Sequence, residues 1–294
     1  MKLIVKFNLA LSIVFTIGLS IAGYVSYEVL QRNAREEIVQ NARIMMQGAL
    51  AVRGYTSAQI KPLLDTQLKY EFLPQSVSAY AANAYFTELR KQYPDYAYKE
   101  ATLNPTNLSD RAADWEADIV NKFRQSVGQP NAVTEIVGDR ETPSGRTLYL
   151  ARPIQITDAR CLVCHSTADA APKSMIDKYG SANGFGWTLN EVVGAQIVSV
   201  PMDVPIQRAW NTFKVFMGLL IALGAFIFLL LNVLLITLVV RPVTKLAGLA
   251  DQVSLGDMNV EEFNVGGRDE IATLAGSFSR MRKSLVHALK MLES

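Results

Sequence analysis

Two uncharged runs divide this chain before any finer pattern is considered. Phe7 to Tyr27 is 21 residues long and contains no Asp, Glu, Lys or Arg, and Val215 to Val240 is a second such run of 26. A helix of about 20 apolar residues spans the hydrocarbon core of a bilayer, and a longer one crosses with tilt. The pattern predicts a cytoplasmic N-terminus at 1–6, a first membrane helix at 7–27 and an enclosed region at 28–212. A second membrane helix follows at 213–240 and a C-terminal segment at 241–294. Lys2 and Lys6 precede the first run, and Arg241 and Lys245 follow the second. The positive-inside rule then puts both ends in the cytoplasm and residues 28–212 outside the inner membrane. Ser20-Ile21-Ala22 resembles a signal-peptide cleavage site. The run is longer than a usual signal core, so it is read as an uncleaved anchor.

The net charge is +2 over 294 residues, so no basic field points to nucleic acid. The chain has 2 cysteines and 2 histidines. Both cysteines and one histidine fall in a single stretch, Cys161-Leu162-Val163-Cys164-His165. Two thiols three residues apart, followed at once by an imidazole, form the attachment pattern of a c-type haem. The thiols make thioethers to two vinyl groups of one porphyrin, and the histidine ligates the iron. A thioredoxin-like disulfide would need a strand-then-helix context that is missing here. A structural zinc would need four ligands, and the stretch offers three. The expectation is one covalent haem c on Cys161, Cys164 and His165, with no structural disulfide and no thiol nucleophile.

Along the enclosed region, Glu28 to Arg53 has apolar residues recurring at three and four. It reads as one amphipathic helix that continues the membrane helix. Ser57–Leu68 and Ser76–Lys91 read as further helices, with Pro62 kinking or starting the first. Asn104-Pro105-Thr106-Asn107 is a turn. Ser109 or Asp110 is then expected to cap a helix reaching about Ser126, whose Asp114, Glu116 and Asp118 read as a solvated face. Thr134–Val137 and Arg146–Ile156, joined through Thr142-Pro143-Ser144-Gly145, read as a hairpin. Pro172–Tyr179 reads as a short helix stopped by Gly180, and Gln196–Val200 as a strand. Gly184-Phe185-Gly186-Trp187 lacks the strand-loop-helix context of a nucleotide site. Pro201 and Pro205 belong to a linker before the second span.

Beyond Pro242, Val243, Leu246, Ala250 and Val253 are spaced 3, 4, 3, and Gly256-Asp257 ends that helix. A connector leads to Gly266-Gly267-Arg268. Asp269-Glu270 then opens a helix with Ile271, Leu274, Phe278, Met281, Leu285 and Ala288 in heptad spacing. Two short heptad helices cannot bury their stripes alone, whereas a parallel four-helix coiled coil in a homodimer buries both. Pro242, the Gly256-Asp257 and Asp269-Glu270 pairs and the two heptad blocks resemble a HAMP signal-relay module.

The outer region resembles a family of extracytoplasmic c-type haem sensor domains. The resemblance rests on Val52-Arg53-Gly54-Tyr55-Thr56, Tyr93-Pro94-Asp95-Tyr96, Lys99 to Asn107, Cys161 to His165, Tyr179-Gly180 and Gly184-Phe185-Gly186-Trp187. It implies a PAS-like fold, a small antiparallel sheet with flanking helices, within an α+β chain. His287 lies in the cytoplasmic segment, so a second histidine ligand within one sensor domain is excluded. The outer methionines are Met45, Met46, Met175 and Met202. In the resembling family the distal ligand comes from the first helix, which points to Met45 or Met46; Met202 or an open, water-filled iron face are the alternatives. Arg152, Arg160 and Lys173 are candidate partners for haem carboxylates or ordinary surface charges.

The favoured reading is a non-enzymatic inner-membrane receptor. It senses redox state or a small gas through its haem and relays the change through the HAMP helices. No output domain follows before Ser294, so a cytoplasmic effector on another chain is expected. The alternative is a membrane-anchored electron-transfer cytochrome c. A haem peroxidase would need an open iron face and distal acid–base residues, and the outer region has no second histidine.

Overall fold

The computed structural model describes residues 2–262 and 266–293. It forms two compact units, one of Val29–Asn211 and the other of Met1–Glu28 with Thr212–Ser294. Helix α1 runs unbroken over Leu3–Tyr55, so the amphipathic stretch does continue the first apolar run. Beyond it the ladder widens into a π turn at Thr56–Ile60 before the single turn α2, Lys61–Leu64. Pro62 explains the change. It has no N–H to give and its ring crowds the carbonyl four residues back, so the regular ladder cannot continue through it. Helix α3 spans Ser78–Leu89, within the stretch read from the sequence.

In the Val29–Asn211 unit, β1 (Ala97–Thr102) is followed by α4 (Asp114–Ser126), then β2 (Ile136–Thr142) and β3 (Gly145–Gln155). After β3 come the single turn α5 (Leu162–His165), α6 (Lys173–Tyr179), β4 (Val192–Pro201) and the start of α7 (Asp203–Leu234). The four strands form one antiparallel sheet in the order β1-β4-β3-β2. The α+β class, a small antiparallel sheet with flanking helices, is the one expected.

The sheet is covered on both faces, and strand alternation divides its side chains between two cores. Leu148, Leu150, Val198 and Val200 meet Ile38, Ala42, Met46 and Ala49 of α1 and Ala82 and Phe86 of α3. Ala101, Ala151, Ala195 and Ile197 meet Ile119, Val120 and Phe123 of α4. Helix α1 is also tied to the sheet side by two charged clamps. Asp139 accepts from Arg35 of α1 at 2.7 Å and from Arg146 of β3 at 2.9 Å. Glu135 accepts from Arg43 of α1 and Arg152 of β3, each at 2.9 Å. Arg152, a candidate haem-carboxylate partner in the sequence, is engaged in this clamp.

Four sequence expectations are corrected. No strand was expected at β1, because Ala-Tyr-Lys-Glu-Ala-Thr lacks β-branched apolar residues and alternates no hydrophobic face. Its polar residues are inward: Glu100 is buried, and Tyr98 donates to it at 2.8 Å. Helix α4 begins at Asp114, not at a Ser109 or Asp110 cap. Those two residues lie in a separate 3-10 turn, where the Asn107 side chain accepts from the Ser109 N–H. Glu116 is not on a solvated face. It is buried, accepts from the Ala113 N–H at 2.8 Å and pairs with Lys99 at 2.7 Å, so it satisfies the helix start from inside. Helix α7 begins at Asp203, which takes Pro205 into its first turn, where a missing N–H costs nothing.

The second unit pairs the apolar runs. Phe15 meets Phe228 edge-on at 6.3 Å and Tyr27 meets Phe213 at 5.8 Å. The 18-residue apolar window in each of these two helices has none of its residues buried within the chain. Leu9, Ile13, Ile17, Leu219, Phe226 and Leu229 are exposed, as a lipid-facing helix requires. A second π turn, Leu235–Val240, precedes Pro242, and α8 (Arg241–Ser254) and α9 (Glu270–Glu293) follow. Gly256, at φ +98, ends the first of these. Connector residues 263–265 and the terminal Ser294 lie outside the described residues. In α8 the buried seam is Leu246, Leu249 and Val253, so Leu249 takes the place expected for Ala250. In α9, Leu274, Met281 and Leu285 of the heptad stripe are exposed in the single chain.

The clamps carry a stability prediction. Burial raises the Glu135 carboxyl, but hydrogen bonds from Arg152 and Arg43 outweigh it and hold the group below its usual value. Glu135→Gln is expected to lower the unfolding free energy by about 1–2 kcal/mol near neutral pH. For a carboxylate lowered in the folded state, this contribution is complete above about pH 5 and fades as pH falls through the depressed value. Thermal unfolding of both proteins across that range checks it: the gap in midpoint should close in acid.

Candidate functional site

The thiol–thiol–imidazole stretch follows directly from β3. Asp158 caps a 3-10 turn, Ala159–Cys161, by accepting from the Arg160 N–H at 2.9 Å, and the turn runs into α5. Cys161, Cys164 and His165 therefore stand at i, i+3 and i+4 on helical backbone and share one side of it. Both cysteines are free thiols and partly exposed.

The imidazole is fixed on three sides. His165 Nδ1 lies 2.7 Å from the Gly184 carbonyl oxygen. A carbonyl only accepts, so Nδ1 carries the proton and Nε2 keeps a lone pair. The ring stacks on Trp187 at 3.9 Å with 13° between planes. The backbone closes the arrangement: Trp187 N–H donates to the His165 carbonyl at 3.1 Å and Gly186 N–H to that of Ser166 at 2.8 Å. Burial lowers the pKa of His165, and the Gly184 hydrogen bond opposes this only in part. The ring is thus held in its neutral form, with the lone pair on Nε2. No hydrogen bond to Nε2 exists among the described residues.

This loop needs glycine at one position above all. Gly184 has φ +86, and a Cβ there would lie 2.0 Å from Thr106 Oγ1 and 2.8 Å from Thr106 backbone atoms. The turn after β1 therefore packs directly on the residue whose carbonyl holds the histidine. The sequence showed both stretches as motifs, but no periodicity links residues so far apart.

The α1 end supplies the charged surroundings. Arg53, in the last turn of α1, lies within electrostatic reach of Cys161 and pairs with Glu100. Lys61 acts on Cys164, whose thiol is nevertheless pushed up by burial. A raised thiol is a poor thiolate nucleophile. Glu100 also accepts from Tyr98, and Tyr98 from Gln196 at 3.1 Å. Asp110 sits beside this group and accepts from Asn83 at 3.3 Å. Burial, then the Glu100 charge, raise it to about 6 against the pull of Lys99 and Asn83.

The residues fit a porphyrin-bound iron better than a bare ion. Among the described residues no three His, Cys, Asp or Glu side chains converge on a metal position. A c-type haem needs only two thiols and one unprotonated imidazole nitrogen on a common side, and these are present.

The outer methionines are buried, apart from half-buried Met45. Met46 is fully buried between α1 and the sheet beside Leu148, Leu150, Val198 and Met202, and Met45 borders the same cluster. Met175 is also buried. Arg160 pairs with Asp158, and Lys173 opens α6.

Comparison with known families matches residues 31–201 to the Tll0287-like family, described as Tll0287, and residues 234–287 to the HAMP domain. No curated protein matches. Among solved structures, a crystal structure of the cyanobacterial haem protein Tll0287 is similar. It is 16% identical, with 56% of this chain and 95% of that chain covered and a TM-score of 0.42.

Asp110 gives a test of the buried charge next to the site. A carboxyl raised in the folded state binds more protons folded than unfolded, between its ordinary value and about 6. Its contribution to stability therefore falls as pH rises through that window. Asp110→Asn should remove this decline, leaving a flatter stability profile between about pH 4 and 6 by chemical denaturation.

Proposed function

Because the chain belongs to the Tll0287-like family through residues 31–201 and carries a HAMP domain at 234–287, we propose that it is a membrane-bound haem sensor. In this reading residues 28–212 hold one haem c outside the inner membrane, and residues 241–294 form the cytoplasmic HAMP relay. The observation that carries it is the tautomer of His165. Gly184 takes the Nδ1 proton, Nε2 is left as a donor to iron, and two free thiols stand on the same side of the same turn.

Cys161 and Cys164 are the proposed thioether residues and His165 the proximal ligand. When bound, the haem supplies an iron that changes oxidation state or accepts a small ligand. The chain's own part is to orient the imidazole through Gly184 and Trp187 and to hold it neutral by burial. Arg53 and Glu100 place a buried ion pair beside the thiol edge. Strand β4 leaves the far side of the histidine loop and ends at Pro201, two residues before α7 starts. A displacement of the loop is thus handed to the helix that contains the second apolar run. The HAMP match favours a receptor over a simple electron carrier, which has no use for the relay helices. We further propose that the exposed Leu274, Met281 and Leu285 pair with a second copy, giving a homodimer that signals to a cytoplasmic effector.

Met45 and Met46 are the proposed α1 candidates for the opposite iron face, subject to a structural condition. Met46 fills the α1–sheet core, and removing such a side chain costs about 2–5 kcal/mol whether or not it binds iron. Single Met45→Ala and Met46→Ala proteins separate the roles. A ligating methionine gives an altered spectrum in one redox state or both with haem still attached. A purely packing methionine lowers stability and leaves both spectra unchanged.

The function itself is tested by optical spectra of the purified protein, oxidised, reduced and under carbon monoxide. The expected result is a c-type haem spectrum that changes on reduction, and a colourless protein from a cytochrome-maturing host contradicts it. For the relay, Met281→Lys with Leu285→Lys should convert a dimer to a monomer in detergent by analytical ultracentrifugation. An unchanged oligomer contradicts the proposed pairing.

A further inference from the structure

We propose that Asn104 is a positioning residue for His165, setting the strength of the hydrogen bond that His165 makes through Nδ1. The inference rests on the haem reading above and deepens it.

Asn104 lies in the turn that follows β1, far from His165 in sequence. Its side chain is bound at both ends to one short loop. Oδ1 accepts from the Gly184 N–H at 3.1 Å, and Nδ2 donates to the Phe185 carbonyl at 3.1 Å. These two contacts fall on either side of the Gly184 carbonyl, which accepts from His165 at 2.7 Å. One amide therefore brackets the acceptor of the imidazole proton. Thr106 of the same turn fills the space a side chain at 184 would need. From the other side, Gly186 and Trp187 bond back to the backbone of Ser166 and His165. The loop is thus pinned between the motif and the segment after β1, where Asn104 fastens Gly184 and Phe185 and Arg111 donates to Asn183 at 3.1 Å.

Asn104 is itself solvent-exposed. A residue in such a position contributes little to core packing, so removing its amide takes away hydrogen bonds without opening a cavity. The chemistry gives those bonds a consequence. The partner of a ligating histidine's second nitrogen fixes the ring's orientation and tunes its basicity. A short, well-aligned Nδ1–H···O bond makes Nε2 a stronger donor and favours ferric iron. A loosened Gly184 carbonyl makes it a weaker one and favours ferrous iron.

The experiment uses the full-length, haem-loaded protein, with haem per chain measured first. Asn104→Ala is expected to keep its haem, shift the midpoint potential to more positive values and lower the iron–imidazole stretching frequency in the resonance Raman spectrum of the ferrous protein. Asn104→Asp, which keeps an acceptor for the Gly184 N–H but loses the donor to Phe185, is expected to fall between. Should Asn104→Ala bind haem poorly, its restoration in Asn104→Asp supports the same role. A wild-type potential and stretching frequency in Asn104→Ala overturn the proposal while leaving the haem reading intact. Absence of haem from the wild type overturns the haem reading itself, and the two failures are thereby distinct.

Discussion

One hydrogen bond, from His165 Nδ1 to the carbonyl oxygen of Gly184, gives the rest of the structure its meaning. A histidine next to two cysteines is chemically ambiguous, because either ring nitrogen can carry the proton. The carbonyl removes the ambiguity, since it has no proton to offer. Burial then keeps the ring neutral, and Trp187 fixes its plane. Everything around this bond works to hold one backbone oxygen in place: a glycine at φ +86, a threonine packed where its side chain would go, and one asparagine, Asn104, bonded to the backbone on both sides of that carbonyl.

The sheet explains why such distant segments meet. Strand β4 pairs with both β1 and β3, so the chain leaving β1 and the chain leaving β3 emerge around the segment that enters β4. The Asn104 turn comes from the first, the cysteine motif from the second and the Gly184 loop from the third. The two cores on the sheet faces make this arrangement stiff. Helix α1 is held against it by apolar packing, by the Asp139 and Glu135 clamps and by the Arg53–Glu100 pair at its end. A buried ion pair is poor evidence of stabilisation in itself. Here it fixes the end of α1 within electrostatic reach of Cys161.

Much of this was legible in the residues. The apolar runs, the cysteine–histidine spacing, the β2–β3 hairpin and the Gly180 and Gly256 stops each depend on local chemistry, and the structure places elements there. What was hidden depends on partners distant in sequence. Strand β1 carries polar groups inward because Glu100 meets Arg53 and the Tyr98 hydroxyl meets Gln196. Glu116 looks like a surface carboxylate until Lys99 is found against it. Asn104 looks like a turn residue, which it is, and nothing nearby in the sequence shows that its amide also reaches Gly184. Met46 was readable as apolar-face or ligand, and only the sheet beneath it shows that it is packed in the core.

The central claim is that Cys161, Cys164 and His165 together hold a porphyrin. The most direct measurement is the mass of the proteolytic peptide containing all three residues, from protein matured where cytochromes c are assembled. The account predicts this peptide carrying one haem through both sulfurs, stable to acid extraction. The same peptide with two unmodified thiols, or with a disulfide between them, would contradict it.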